Sequence, residues 1–321
     1  MRKNINTKTK LSIVIPCYNS EAYIETVVSE IKQTIESRKD YTYEIILVSD
    51  ASPDEVFSVV KKMAKSDKHI IGIELSRNFG QHAALMAGYR EASGDIIVSM
   101  DDDGQTPADG IFPLVDALSD DIDVAFAEYP IVKQSAWRRL GSAVNKYMME
   151  VLIQKPKNIY TTSFFACRRF VIDEIIRYDT PYPYVQGFIF GVTKRICNVI
   201  IEHKNRIAGQ SGYSFRGLVR LWANGFIAFS VKPLRISTAL GVFVALVGFI
   251  DAIYLIIKKL LYPMVPLGYT STIAAILFIG GIIMIILGMI GEYVGRIYIT
   301  SSKSPQYVVR DLINKSEKKS K

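Results

Sequence analysis

Between Lys259 and Glu292 the chain runs for 32 residues without a charge, and between Arg235 and Lys258 another 22 residues carry only one, Asp251. A bilayer's hydrocarbon core takes about 20 apolar residues as a helix. Two membrane spans are therefore predicted, over 236–257 and 269–291. The stretch between them holds Pro263, Pro266 and Gly268, which suits a tight hairpin loop. The uncharged run exceeds the length of ordinary core helices in soluble domains. Basic segments on both outer flanks place those flanks in the cytosol by the positive-inside rule. Lys258 and Lys259 fall on the opposite side, where their long stems snorkel. Asp251 is costly in lipid and is expected to face protein.

A net charge of +8 would suggest nucleic acid if it were evenly spread. It is not. Residues 1–10 carry +4 and residues 292–321 another +4. From 11 to 128, 22 acidic residues stand against 9 basic ones; from 129 to 291, 6 stand against 19. An acidic half joined to a basic half is not a nucleic-acid surface. The basic half adjoins the spans, so anionic lipid headgroups of the bilayer are its expected partner. Cys17, Cys167 and Cys197 lack metal spacing and read as free thiols of a reducing compartment. The charged segment 1–10 is not followed by an apolar stretch of signal-peptide type.

Residues 11–128 alternate two periodicities. Apolar, β-branched runs at 11–16, 43–48, 70–75, 95–100 and 122–127 are separated by amphipathic stretches near 21–38, 54–67, 80–93 and 108–119. That rhythm predicts a parallel α/β sheet with helices on its faces, and ligands in such sheets sit beyond the carboxyl ends of the strands. Two later stretches, 137–152 and 214–230, place Trp, Phe and Leu on one helical face and Arg on another, as in helices lying in the headgroup plane. An ordinary core-facing helix is the alternative for the first.

The strand-end loops carry the chemistry. Strand 95–100 runs into Asp101–Asp102–Asp103. Three carboxylates there repel one another unless a cation sits among them. Asp101 and Asp103, at alternate positions, offer hard oxygens to Mg²⁺ or Mn²⁺, whose shell a nucleotide's phosphates would complete. After strand 43–48, Asp50 is placed to accept hydrogen bonds from a base or ribose, while Ser52 or Asp54 caps the next helix. After strand 11–16, Pro16 and Asn19 shape a turn. After strand 70–75, Arg77 is the natural phosphate or base contact. His69 reads as structural, while His82 and His203 lie near candidate ligand loops.

Taken in order, IVIPCYNSE, EIILVSDASPD, LSRNFGQHAALMAG and SMDDDGQTP resemble the successive signatures of glycosyltransferase family 2, with its Rossmann-like GT-A fold. The later segment EHKNRIAGQSGYSFRGLVRLWANGFIAFSVKPLR, followed by two spans, is similar to that of the bacterial polyprenyl-phosphate glycosyltransferases, relatives of dolichol-phosphate mannose synthase. The resemblance implies an inverting transfer of one sugar from a nucleotide-diphosphate donor, UDP-linked, to undecaprenyl or another polyprenyl phosphate, supplying envelope glycan modification. It makes Asp50 the nucleobase contact, with Pro16, Tyr18, Asn19, Arg77 and Asp102 lining the donor pocket. It makes Asp101 and Asp103 the metal pair. It sets Arg206 against the donor diphosphate or lipid phosphate, with Ser211, Arg138 and Arg216 on the lipid-phosphate side. A homo-oligomer is also implied.

Two positions depart from the family pattern. The usual double aspartate after the second strand is Ser49–Asp50, and an aspartate often found before the Phe of TTSFFACRR is Ser163. No general base is assigned; Asp102 or Ser163 could assist positioning. The organisation expected is a basic arm (1–10), a GT-A domain (11–213), an interfacial helix (214–234), a two-helix anchor (235–293) in the cytoplasmic membrane and a basic cytosolic tail (294–321). Two alternatives compete: a family 2 transferase acting on another glycan or lipid, and a nucleotide-sugar-binding scaffold that has lost catalysis.

Overall fold

The alternating periodicities become alternating elements: β1 (Thr9–Cys17), α1 (Ile24–Glu36), β2 (Tyr41–Ser49), α2 (Val56–Ser66), β3 (Ile70–Leu75), α3 (Gln81–Glu91), β4 (Ile96–Ser99), α4 (Ile111–Asp116, entered through the 3₁₀ turn Ala108–Gly110) and β5 (Val124–Glu128). Then follow β6 (Phe165–Arg168), α5 (Arg169–Ile175), α6 (Val185–Val192), β7 (Ile196–Ile200), the long helix α7 (Tyr269–Ser301) and β8 (Val309–Ile313). This computed structural model describes residues 8–104, 106–129, 155–202, 268–302 and 304–315, with helical pieces at 241–244, 246–250, 253–254, 257–258 and 261. The expectations for Arg138, Arg206, Ser211, Arg216, His203 and Asp251, and for helices at 137–152 and 214–230, lie outside the described residues. Two compact units are present: residues up to 212 with 305–321, and residues 213–304.

In the first unit eight strands form one sheet, in the order β7-β5-β6-β4-β1-β2-β3-β8. The parallel pairing expected for residues 11–128 is present in β1 to β4. β1 pairs in parallel with β2 and β4, and β2 with β3, but β6 runs antiparallel to β4 and β5, and β8 antiparallel to β3. Both antiparallel strands come from outside the regular strand–helix repeat. β1 lies at the centre with Leu11, Ile13, Val14 and Ile15 fully buried, as a strand covered on both faces requires. On one face α3 lies close, because a Cβ at Gly88 would meet Val14 Cγ1 at 2.4 Å and Val48 Cγ2 at 3.2 Å. The glycine costs helix propensity there and permits the close approach.

The N-terminal ends of β1, β2 and the turn before β4 are bound by a buried carboxylate. Glu44, 4% exposed, receives Lys10 Nζ at 2.6 Å, Ser12 Oγ at 2.6 Å, the Ser93 amide at 2.6 Å and Ser93 Oγ at 2.8 Å. Burial alone would push its carboxyl up; Lys10, Ser12 and the Ser93 amide outweigh this and hold it below the ordinary range. Lys10 thus belongs to β1, where the sequence reading had ended a basic arm.

β8 lies in the stretch read as a basic tail. It covers the free edge of β3, with Glu74 opposite Asp311 in the register, an ion pair from Lys61 to Asp311 at 3.0 Å, and the Ser76 amide on the Val308 carbonyl at 2.8 Å. Exposed strand edges invite non-native pairing, and a covering strand removes the template. Gln306, 3% exposed, donates to the Thr180 carbonyl at 2.9 Å.

In the second unit α7 is 33 residues long, about 50 Å at the usual helical rise. Its stretch Phe278–Ile299 is long and apolar enough to cross a membrane. Ile276, Phe278, Met284, Ile285 and Leu287 are each more than half exposed, and a helix apolar around its circumference needs a non-aqueous surround. The expected stretch 269–291 falls within α7, which continues past Glu292 to Ser301. A shorter apolar helix, Gly241–Ile250, falls within the other expected span.

Glu44→Gln should reduce unfolding free energy at pH 7 by about 1–3 kcal/mol, since charge-assisted bonds are lost from a buried site; denaturant unfolding of the full chain in detergent measures it. Because the folded carboxyl titrates below the unfolded one, its contribution is present above the ordinary carboxylate pKa and fades as pH falls through the folded value. The gap between wild type and variant should therefore narrow as pH falls below the ordinary carboxylate range.

Candidate active site

The strand order sets the location. The chain leaves β1 toward β2 and β3 on one side and later returns to β4 on the other. Loops at the carboxyl ends of β1 and β4 therefore diverge and leave a crevice, the switch point where open α/β sheets hold ligands. The β1–β4 ladder stops at Val14↔Ser99, while β1–β2 continues to Cys17↔Ser49. Val14's carbonyl still accepts the Met100 amide. Pro16, two residues on, faces the same side without an N–H to offer, so the strands part there.

Each of the four loops turns through a left-handed residue: Asn19 (φ 56°) after β1, Ala51 (φ 47°) after β2, Gly80 (φ 94°) after β3 and Gly104 (φ 69°) after β4. Asn and Gly adopt this region readily; Ala does so at a cost of about 1–2 kcal/mol. Ala51 is held there by its surroundings, as strained residues at functional sites are. Asp50, beside it, is 4% exposed and receives the amides of Phe79 and Gly80, each at 2.7 Å, one on each carboxylate oxygen. Burial nonetheless raises its carboxyl above the ordinary range, against those two bonds.

Two further carboxylates join the loops. Asp102 Oδ2 accepts the Tyr18 amide at 2.8 Å, closing the β4 loop onto the β1 loop. Burial pushes its carboxyl up to about 6, with the charge of Asp101 adding to the rise and the Tyr18 amide opposing it. Asp54 Oδ2 accepts the Glu21 amide at 2.9 Å, and its other oxygen takes the Ser52 hydroxyl at 2.6 Å and the Val56 amide at 3.3 Å. Ser52 Oγ in turn accepts the Asn19 amide at 2.8 Å. The N-cap position of α2 is Glu55, without a side-chain cap bond; Asp54, one residue earlier, accepts the Val56 amide while also reaching across to the β1 loop.

Asp101 meets two neutral donors: Gln81 Nε2 at 2.8 Å on one oxygen and the Ser163 hydroxyl on the other. Burial raises its carboxyl, and Asp103 nearby adds to the rise. Asp101 and Asp103 both also act on the Tyr129 phenol, which burial, helped by these charges, pushes up to about 12. The charges of the two carboxylates act on one another and on the same phenol. Among the described residues no three His, Cys, Asp or Glu side chains gather as a metal site. The donor set fits a hard divalent cation taking two carboxylates here and its remaining oxygens from water and phosphates.

Tyr18 is 48% exposed at the crevice mouth. Arg77 is exposed and stacks its guanidinium over Phe79 at 4.3 Å. His82 sits edge-on to Tyr184 with ring centroids 5.1 Å apart. Burial pushes its imidazole down to about 4, so it is neutral near pH 7. His69 pairs with Asp67 at 2.9 Å and stacks on Tyr43, which agrees with a structural role. The sequence reading passed over Gln81. Its signal was position: it is the first residue of α3, directly after the left-handed Gly80 of a ligand-side loop.

Asp50→Asn should replace one amide-accepting oxygen by an NH₂ group and release an amide of the 76–82 loop. A charge-assisted bond of about 1.5–3 kcal/mol corresponds to roughly 10–100-fold faster amide exchange of Phe79 or Gly80, read by hydrogen-exchange mass spectrometry.

Known proteins place this geometry. Residues 12–176 match the profile of Glycosyl transferase family 2, and residues 232–297 that of the GtrB C-terminal hairpin. The chain is 31% identical over 309 residues to the undecaprenyl-phosphate 4-deoxy-4-formamido-L-arabinose transferase of Proteus mirabilis, covering 95% of this chain and 94% of that one. It is 31% identical to the prophage bactoprenol glucosyl transferase homolog of Escherichia coli K12, covering 94% and 98%. The fold is similar to that of Mycobacterium tuberculosis glucosyl-3-phosphoglycerate synthase in its complex with Mn²⁺, UDP-glucose and phosphoglyceric acid, with a TM-score of 0.50 at 17% identity over 68% of this chain and 78% of that one. With a GT-A-type sheet, a switch-point crevice and relatives matched along nearly the whole length, the chain belongs to glycosyl transferase family 2 and is a glycosyltransferase carrying a GtrB-type C-terminal hairpin.

Proposed function

We propose that this glycosyltransferase moves one sugar from a nucleotide-diphosphate sugar, UDP-linked, to undecaprenyl or another polyprenyl phosphate, with inversion at the anomeric carbon. The observation that carries the donor half is the acidic turn Asp101–Asp103 at the switch-point crevice, tied to the β1 loop through Asp102 and Tyr18. The acceptor half is supported by relatives whose names specify undecaprenyl phosphate and bactoprenol. UDP and Mn²⁺ are supported by a fold neighbour that binds both.

Asp101 and Asp103 would hold Mg²⁺ or Mn²⁺, which when bound neutralises the departing diphosphate. Asp50 is the nucleobase contact, its carboxylate also holding the loop that carries Arg77, and Pro16, Tyr18, Asn19, Arg77 and Asp102 line the donor pocket. Arg206, with Ser211, Arg138 and Arg216, is assigned to the phosphates on the basic, membrane side. An acceptor phosphate oxygen forms the bond to the anomeric carbon while the bond to the donor diphosphate breaks and its electron pair leaves with the diphosphate. A phosphate monoester's second pKa lies near 6, so the acceptor is largely dianionic at pH 7 and supplies its own nucleophile. Ser163 donates to Asp101 and is not needed as a base; in-line placement of the phosphate is.

The reading also assigns two spans, 236–257 and 269–291, in the cytoplasmic membrane. The catalytic domain and both flanks are cytosolic, the assembly is a homo-oligomer, and the product feeds envelope glycan modification.

Detergent-purified full chain should convert undecaprenyl phosphate into a glycosyl phospholipid with one of a panel of nucleotide sugars and Mg²⁺ or Mn²⁺, seen by mass spectrometry. Asp103→Asn should lower turnover by about 100-fold or more with an unchanged melting temperature. A folded, nucleotide-binding protein that yields no lipid product with any donor would refute the proposal and favour the scaffold alternative.

A further inference from the structure

Asp101 is approached from two sides by neutral side-chain donors. Gln81 comes from the first turn of α3 and donates Nε2 to Oδ1 at 2.8 Å. Ser163 comes from the segment entering β6 and donates its hydroxyl to Oδ2. Sheet register explains the second contact. β4 and β6 pair antiparallel with Ser99 opposite Phe165, so two residues further along β4 and two residues back along the other strand bring 101 opposite 163. The first contact follows from Gly80, whose left-handed turn starts α3 beside the β4 end.

A carboxylate carries two acceptor sites on each oxygen. Among the described residues, one neutral donor on each oxygen leaves one site per oxygen for a cation, and leaves the negative charge undiminished. Two donors from different elements also fix the plane of the carboxylate, which a single bond would not. A carboxylate at 163 would instead place a second negative charge against Asp101, and a lysine at 81 would cancel the charge a cation needs. Neutral donors are the choice that orients the ligand without competing for its function. Partners of this kind, hydrogen-bonded to a metal-binding carboxylate, hold it in its ligating orientation, and their loss weakens metal affinity.

We propose that Gln81 and Ser163 are positioning residues that clamp the Asp101 carboxylate in its cation-binding orientation. The proposal rests on the reading of Asp101 as a metal ligand, and the test separates the two.

Mn²⁺ is titrated into the full chain in detergent with saturating UDP, and free Mn²⁺ is read by its electron paramagnetic resonance signal. Gln81→Ala and Ser163→Ala should each weaken Mn²⁺ binding by about 10–100-fold with melting temperature near that of wild type. Ser163→Thr, which keeps the hydroxyl, should restore most of the affinity. Asp101→Asn should abolish binding. If Asp101→Asn binds Mn²⁺ like the wild type, or the wild type binds none, the metal reading itself fails. If Asp101→Asn loses the ion while Gln81→Ala or Ser163→Ala retains wild-type affinity, the positioning role of that residue is overturned and the metal reading stands. A purely structural role would lower melting temperature in the alanine variants without moving Mn²⁺ affinity, and would equally overturn the proposal.

Discussion

The carboxyl end of the sheet depends on carboxylates that accept backbone amides from neighbouring loops. Asp102 holds Tyr18, Asp50 holds Phe79 and Gly80, and Asp54 holds Glu21. Each bond links two loops that follow different strands. Loops at strand ends cannot pair with one another as a sheet does, and their amides would otherwise need water. A carboxylate takes two or more amides at once and makes stronger bonds than a neutral oxygen. The loops around the crevice are thereby held as one rim, and the left-handed turns at Asn19, Ala51, Gly80 and Gly104 aim those amides at their acceptors.

This arrangement changes the meaning of the acidic charge in the first half. Some of its aspartates are structural acceptors facing amides, so their charge is spent within the protein. Asp101 is different. Among the described residues it receives side-chain donors, Gln81 and Ser163, and the Asp103 charge acts on it. Burial works against the charge of Asp101 there, since a low-dielectric surround disfavours the ionised form, and the nearby Asp103 adds to that opposition. A divalent cation relieves that opposition directly, which is the electrostatic argument for a metal at this pair rather than at Asp50 or Asp54.

The strands and helices of the first half were legible because each element sits in a uniform setting. Central strands buried on both faces read as unbroken apolar runs, and the helices between them as amphipathic stretches. β6 and β8 were not legible. Phe165–Arg168 is four residues long and ends in a charge, and Val309–Ile313 carries Arg310 and Asp311 in the middle of an edge strand. An edge strand meets solvent on one side, so its pattern resembles that of a polar tail. The antiparallel direction of β6 and β8 was equally hidden, because direction is set by long-range pairing, which local periodicity does not encode. Within the site, residue types exposed the carboxylates but not their partners. Gln81 and Ser163 are ordinary polar residues until topology brings them to Asp101.

The position of β8 bears on how the two parts of the chain depend on one another. After α7 the chain returns to the catalytic sheet and supplies its outermost strand, with Asn314 donating to the Ile70 carbonyl at 3.0 Å and Lys61 paired to Asp311. β3, which β8 covers, is the strand that leads into the Arg77–Gly80 loop, and the contact continues to Ser76 at the start of that loop. Without β8, the edge of β3 would present unpaired amides and carbonyls beside the donor-side loop. The catalytic domain is therefore discontinuous in sequence: its last strand lies beyond the apolar helix. A boundary drawn from hydropathy alone separates this strand from the sheet it completes, whereas hydrogen bonding assigns it to the domain that carries the chemistry.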